Sequence, residues 1–388
     1  MIEPGRGRSV LVAMSGGVDS SIGAALLAEA GWDVVGVTLK LWCYGEGDDA
    51  VSPRACCSLD AIADAQSVAR RMGFPHHVLD ETAEFRARVV DPFVADYLSG
   101  FTPYPCAACN THLKFGSLFA HAMKSGIEFL STGHYVRGGT ASGPAGGEAA
   151  LFRAAHGAKD QTYALWGIDR AVLSRLVFPL GGMTKDEVRA HGDRLGLGRV
   201  AHKLESQDLC FVPDGDYAAF VAREVAAGRA GGAAASVVSA GAAPGPIVDE
   251  AGQAVGAHEG VVRFTVGQRK GIGIAAAQPL YVTALEPATN TVRVGPESAL
   301  YATEACFTGF NWLSAEPPTP GEPIEAQIRY RHAPAAARLY VGGETPGAGR
   351  LAFDAPQRAI TPGQSVAFYR GDRLMGGARL ARAAAGRG

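Results

Sequence analysis

The chain of 388 residues contains no apolar run near the eighteen or so residues that cross a bilayer. No apolar segment of signal length precedes Ser15, so the chain reads as soluble and cytoplasmic, with no membrane partner. Cysteine is sparse and odd in number, seven in all, which excludes the dense disulfide framework of a small secreted fold. The thiols are left for catalytic, redox or metal chemistry. A charge excess is also missing: 36 basic against 38 acidic side chains leave a net of −2, so the chain is not basic throughout. That total says nothing about placement. Residues 1–100 hold 8 basic and 14 acidic groups, and residues 213–262 hold 2 and 6. Residues 101–212 hold 12 and 9, and residues 263–388 hold 14 and 9. No internal repeat is found. What is present, 47% hydrophobic and 19% charged residues, is a globular composition at a length that asks for two or three domains.

Strand and helix signals alternate over about the first 210 residues. Ser9 to Met14, Val34 to Leu41, His76 to Leu79 and Ile127 to Ser131 read as strands. Asp19 to Ala30 (stopped by Gly31), Ser58 to Met72, Glu81 to Leu98 and Leu113 to Ser125 read as helices. This predicts an α/β domain with a parallel sheet, helices on both faces, and ligands at the carboxyl ends of the strands. Near Pro213 the character changes. Asp216 to Val225 reads as a helix, and Arg229 to Gly245 as a loose Ala/Gly/Ser-rich insertion. From about Val261, short β-type runs are punctuated by Gly and Pro: Leu280 to Leu285, Thr291 to Val294, Ile324 to Tyr330, Arg338 to Val341 and Ser365 to Tyr369. They predict an all-β barrel or sandwich. Ala381 to Gly388 is expected to fray. The expected domains are 1–212, a small central domain 213–274, and a C-terminal β-barrel 275–388.

The first strand runs into Ser15-Gly16-Gly17-Val18-Asp19-Ser20-Ser21 and then a helix. Two glycines let backbone amides approach an anion, and the helix N-terminus adds partial positive charge. Asp19 suits an anion site only if it helps hold a cation such as Mg²⁺. The lysine of a Walker A loop is missing.

Two cysteine settings stand out. One is Thr102-Pro103-Tyr104-Pro105-Cys106-Ala107-Ala108-Cys109-Asn110; the other is Glu205-Ser206-Gln207-Asp208-Leu209-Cys210-Phe211. Cys109 is expected just before a helix, where the first amides lower a thiol pKa. The polar residues before Cys210 favour a loop. Cys43, Cys56, Cys57 and Cys306 read as packing thiols. Arg269-Lys270 between glycines reads as a hairpin charge pair, Arg329 and Arg331 share one side of a strand, and Glu205 and Asp208 are candidate partners of Lys203.

The loop and its flanking elements resemble the PP-loop ATP pyrophosphatases, which cleave ATP to AMP and pyrophosphate and so activate a carbonyl oxygen. Further motifs follow in order: TPYPCAACN, Ser131-Thr132-Gly133-His134-Tyr135, Lys159-Asp160-Gln161-Thr162-Tyr163, ESQDLCF, Thr265 to Gly271, Arg329 to His332 and Pro356 to Gln364. From about Val10 to about Leu380 this set resembles the bacterial tRNA-specific 2-thiouridylases. The resemblance implies sulfuration of the wobble uridine of tRNA (Lys, Glu and Gln type) at C2, with ATP and Mg²⁺, and sulfur brought as a persulfide by a relay protein. It implies that Ala13, Met14, Ser15, Gly16, Gly17, Val18, Asp19 and Ser20 hold the ATP phosphates, and that Leu39 and Gly133 line the adenosine. It implies Cys109 as nucleophile and Cys210 as persulfide carrier, the two ending as a disulfide. Tyr104, Pro105 and Cys106 would lie beside the target base, and His134, Lys159, Asp160, Gln161, Arg329, Tyr330 and Gln364 would touch tRNA.

Some family members carry Asp where this chain has Cys106, so an acid/base role there does not transfer. Cys106, Cys109 and Cys210 would alternatively ligate an iron–sulfur cluster with one open iron. Zinc would lack an evident fourth ligand. Two other readings compete: a PP-loop ligase or amidotransferase-type synthetase, which needs neither Cys109 nor Cys210, and a non-catalytic tRNA-binding protein.

Overall fold

The computed structural model describes residues 2–42, 59–143, 146–204, 209–212, 214–229, 243–342 and 345–382. Cys43, Cys56, Cys57, Glu205 to Asp208, most of the Ala/Gly-rich insertion and most of the tail lie outside the described residues.

The alternation of the N-terminal part is realised as a five-stranded parallel sheet in the order β3-β2-β1-β4-β7. Its strands are β1 (Ser9–Ala13), β2 (Asp33–Lys40), β3 (His76–Asp80), β4 (Phe129–Thr132) and β7 (Leu176–Val177). Successive β1 side chains point to opposite faces. Val10 and Val12 join one buried cluster with α1 (Val18–Glu29) and α2 (Leu59–Met72), and Leu11 joins the other, so both faces are covered. The chain leaves β1 toward β2 on one side, and β4 pairs on the other. The loop after β1 therefore sits at the point where strand order reverses, where α/β sheets bind ligands.

Helix formation departs from the sequence pattern at one important place. The helix expected from Leu113 begins at Pro105 and runs through 105–124, with π-helical turns over Cys109–Ser117. Proline at the first helical turn needs no amide partner and presets φ, which starts the helix early. Cys109 thus lies one turn inside the helix, and its amide is already bonded to the carbonyls of Pro105 and Cys106. The expected activation of Cys109 by unbonded N-terminal amides does not hold; Cys106 occupies that first turn instead.

A hairpin of β5 (Val136–Gly143) and β6 (Gly146–Arg153) carried no strand signal, because Gly, Ala, Ser and Thr fill most of it. Through β6 it pairs with the last strand, Phe152 opposite Arg373 and Leu151 opposite Leu374. The N-terminal domain therefore contributes two strands to the C-terminal sheet.

That sheet contains β12 (Tyr301–Trp312), β13 (Glu322–Gln327), β14 (Ala335–Val341), β15 (Gly349–Arg358), β16 (Ser365–Arg370) and β17 (Arg373–Leu380). Pairing of β12 with β17 closes them into an antiparallel barrel around Phe307, Leu339, Leu351, Val366 and Phe368. Closure removes the exposed edges that an open sheet would present. The central unit is a separate sheet, β10-β11-β8-β9, built from β8 (Gly245–Val248), β9 (Ala254–His258), β10 (Tyr281–Glu286) and β11 (Thr291–Gly295). Residues 281–295 belong to it and not to the barrel, which starts at Tyr301; the expected boundary at 274/275 separates strands that pair with one another.

Candidate active site

The phosphate loop is a tight backbone cradle. Gly16 has φ +67°, and a Cβ there would lie 2.0 Å from the Ala61 carbonyl oxygen of α2. Gly17 caps α1 with no side-chain bond to its first amides. Those amides face the loop without a serine or aspartate cap, as an anion-binding helix start requires. Ser20 Oγ accepts from the Ser15 amide at 3.0 Å and lies 3.1 Å from Ser15 Oγ, which locks the turn. The Met14 amide donates to Val37 of β2 at 2.7 Å, and Met14 and Val18 are buried. Ser21 Oγ is fully buried without a hydrogen-bond partner. From β4, Gly133 comes so close to α1 that a Cβ would lie 2.5 Å from the Ser20 amide nitrogen. Ala13 ends β1, and Leu39 is buried near the end of β2, opposite Leu79.

Asp19 is engaged by two groups that sequence reasoning missed: the Lys185 ammonium at 2.6 Å and the Tyr135 hydroxyl at 2.7 Å. Glu205 and Asp208, the candidate partners of Lys203, lie outside the described residues. The Lys203 ammonium donates to Asp64 at 2.9 Å and to the Gly16 carbonyl at 3.3 Å. No local motif marks either lysine, because both meet the loop only through the tertiary fold.

Cys109 is buried in the hydrophobic cluster between sheet and barrel, and partly buried Cys210 packs against the same cluster. They are not joined by a disulfide here. Cys106 is exposed. π-Helical widening such as that over Cys109–Ser117 recurs at functional sites in helices. Among the described residues, no three His, Cys, Asp or Glu side chains gather in a metal-binding group. Cys106, Cys109 and Cys210 are not gathered into such a group here.

Near Cys106 stands an aromatic stack. Tyr104 lies 5.1 Å from Tyr163 and 6.0 Å from Tyr330 between ring centroids, nearly parallel to the latter. Arg331 stands over Tyr330, with its guanidinium carbon 5.3 Å from the ring centroid. Burial, followed by the nearby Cys106, raises the Tyr104 phenol pKa far above its ordinary value, so it stays protonated. The Tyr163 hydroxyl donates to the Ser365 carbonyl at 2.6 Å, tying this stack to the barrel.

The remaining expected tRNA residues are mostly engaged within the protein. His134 is buried and shares a 2.7 Å hydrogen bond with Thr132. Burial, then the charge of Lys114, lowers its pKa well below 6.5, so its ring is neutral. Asp160 accepts from the Ala154 amide and from Thr162 and pairs with Arg153; Gln161 accepts from the Tyr135 amide. Lys159 closes the short turn before them, half-buried. Arg329 donates to the carbonyls of Arg358 and Ala359, and burial lowers its pKa. Gln364 donates to the Thr102 carbonyl at 3.0 Å, just ahead of Tyr104, Pro105 and Cys106. Of this set, Tyr330 presents an exposed face.

The comparisons with known proteins fall on the same three units. Family models match residues 8–214 (tRNA methyl transferase HUP domain), 238–296 (tRNA methyl transferase PRC-barrel domain) and 302–380 (aminomethyltransferase beta-barrel domain). The tRNA-specific 2-thiouridylase MnmA of Magnetococcus marinus is 45% identical over 97% of this chain and 99% of its own length. That of Pelotomaculum thermopropionicum is 42% identical over 96% of each. The chain belongs to the tRNA-specific 2-thiouridylase family. In this 2-thiouridylase, Cys109, Cys210, Tyr104 and Tyr163 share one hydrophobic cluster, while Met14 and Val18 of the phosphate loop belong to the cluster on the other face of the sheet. A solved 4-thiouridine synthetase–RNA complex with bound ATP overlaps at TM-score 0.33 and 18% identity, over 57% of this chain and 50% of that one, a likeness too low to bear on the fold. No helix among the described residues is long and apolar enough to cross a membrane.

Proposed function

We propose that this chain thiolates C2 of the wobble uridine in tRNA, consuming ATP and releasing AMP and pyrophosphate. The observation that carries this reading is that Cys109, Cys210, Tyr104 and Tyr163 share one hydrophobic cluster, with Tyr330 against the two tyrosines, in a chain whose relatives match over nearly its whole length. The domain descriptions that speak of methyl transfer give no role to the two thiols on that cluster.

The C2 carbonyl of uridine is a poor electrophile. Attack of its oxygen on the α-phosphorus of ATP breaks the α–β anhydride and makes AMP the later leaving group. The residues 13–20 hold the phosphates through backbone amides. Mg²⁺ would accompany the nucleotide at Asp19, the loop's one carboxylate, and would supply further charge neutralisation there. The target base must leave the anticodon stack to reach the thiols. The terminal sulfur of a persulfide on Cys210 attacks C2 and AMP departs. Cys109 thiolate then attacks the Cys210 sulfur, the S–S bond breaks, and sulfur remains on C2. The resulting Cys109–Cys210 disulfide is reduced by two electrons from an external thiol before a persulfide-relay protein reloads Cys210.

The test is to incubate the protein with ATP, Mg²⁺, a persulfide donor and a tRNA transcript with a wobble uridine, and to analyse the nucleosides by mass spectrometry. Stoichiometric 2-thiouridine is expected; unmodified uridine with a competent donor would refute the reading. Because basic residues outnumber acidic ones in 101–212 and 263–388, tRNA affinity should fall by ~10-fold or more between about 50 and 200 mM salt despite the acidic total. A titration by filter binding checks this, and a flat salt dependence would contradict it.

A further inference from the structure

A phosphate loop without a lysine leaves the negative charge of a triphosphate to backbone amides alone, yet the fold delivers two lysines to this one. Lys185 opens the helix Lys185–Arg194, whose start is fixed by a capping box of Thr184 and Glu187. A cation in the first turn opposes the helix macrodipole, so the contact with Asp19 at 2.6 Å compensates for an unfavourable position. Its side chain is 12% exposed. Lys203 comes from the segment after the last helical turn of the N-terminal domain and reaches the Gly16 carbonyl itself. Its counter-ion, Asp64, is buried on α2, the helix that backs Gly16, and also binds Arg199. Composition sharpens the point. The chain uses 29 arginines and only seven lysines, and two of the seven stand at this loop. A compact ammonium is a point charge on a flexible stem and suits a phosphate that must be gripped and released.

We propose that Lys185 and Lys203 clamp the β- and γ-phosphates of ATP, supplying from two distant segments what a Walker A loop carries internally. Asp19 and Asp64 hold the two ammonium groups at the loop before nucleotide binds. As the α–β anhydride breaks, negative charge grows on the departing pyrophosphate, and the lysines stabilise it there. This rests on the reading of the chain as an ATP-consuming enzyme.

The experiment compares equilibrium binding of ATP and AMP by the full-length protein and by Lys185→Ala, Lys203→Ala and Asp64→Asn, with melting temperatures measured alongside. Both lysine variants should lose ~10-fold or more in ATP affinity while AMP affinity stays within about twofold, since charge-assisted contacts to the missing phosphates are what is removed. Asp64→Asn should give a smaller loss of the same kind. Equal losses for ATP and AMP would show that the lysines merely shape the loop and would overturn the inference. So would undiminished ATP binding by the variants. Failure of the unmodified protein to bind ATP would instead overturn the functional reading and this inference with it.

Discussion

Cys109→Ser is expected to lower 2-thiouridine formation by ~10³-fold or more, and Cys210→Ser by a similar factor. Serine is a far weaker nucleophile than a thiolate at neutral pH and can neither carry a sulfane sulfur nor close a disulfide. The two variants should nevertheless release pyrophosphate from ATP in the presence of tRNA, because the phosphate loop is formed by other residues. Cys109 is 9% exposed and packs in an apolar cluster, so a serine hydroxyl there carries a desolvation cost. Cys109→Ala avoids that cost and should show the same loss of thiolation with less loss of melting temperature. Nucleoside mass spectrometry and pyrophosphate release, measured on the same preparations, separate the two half-reactions. Retained thiolation in either serine variant would exclude a cysteine relay and favour a PP-loop ligase chemistry that has no need of thiols.

The exposed first-turn thiol makes a useful comparison. The sequence pattern assigned the helix-start environment to Cys109, and the structure gives that place to Cys106. Whether a helix begins at residue 105 or 113 depends on proline at the first turn and on the tertiary burial of Ala107, Cys109 and Leu113, which a local pattern does not weigh. Elsewhere the pattern was legible where apolar periodicity is strong. β1 and β2, with their runs of valine and leucine, lie within a residue or two of expectation. The hairpin Val136–Arg153 was not legible, since its pairing partner β17 lies more than two hundred residues away and its own residues are small. The site shows the same division. Ser15 to Ser20 form the turn from β1 into α1 that the strand–loop–helix pattern expects. Lys185, Lys203, Asp64 and Tyr135 reach the loop through tertiary contacts alone. The residues expected on tRNA divide too: Tyr330 faces outward, while Gln161 and Gln364 brace the segments that carry Tyr135 and Tyr104, Asp160 pairs with Arg153, and Arg329 donates to the carbonyls of Arg358 and Ala359.

The glycines of the cradle lead to the other large effect. Gly16→Ala should weaken ATP binding by ~10²-fold or more, the order of loss when one or two hydrogen bonds to a charged group, roughly 1.5–3 kcal/mol each, are broken. Two costs act together. The left-handed conformation at φ +67° disfavours a Cβ by roughly 1–2 kcal/mol, and that Cβ would sit 2.0 Å from a backbone oxygen of α2, which has no rotamer by which to yield. The loop or α2 must move, and α2 also carries Asp64. Gly133→Ala should act similarly without backbone strain, by pushing its loop off the Ser20 amide, 2.5 Å from the new Cβ. Gly17→Ala should be milder, because its nearest obstacle is the Ser15 hydroxyl at 3.3 Å, a side chain that can turn. Gly182→Ala, with nothing within 4 Å of its Cβ, is the control and should bind ATP as the unmodified chain does. Calorimetric titration with ATP ranks the four. A Gly16→Ala protein with ordinary ATP affinity would mean that the nucleotide is not held in this loop, since no arrangement of the present backbone accommodates both the methyl group and the cradle.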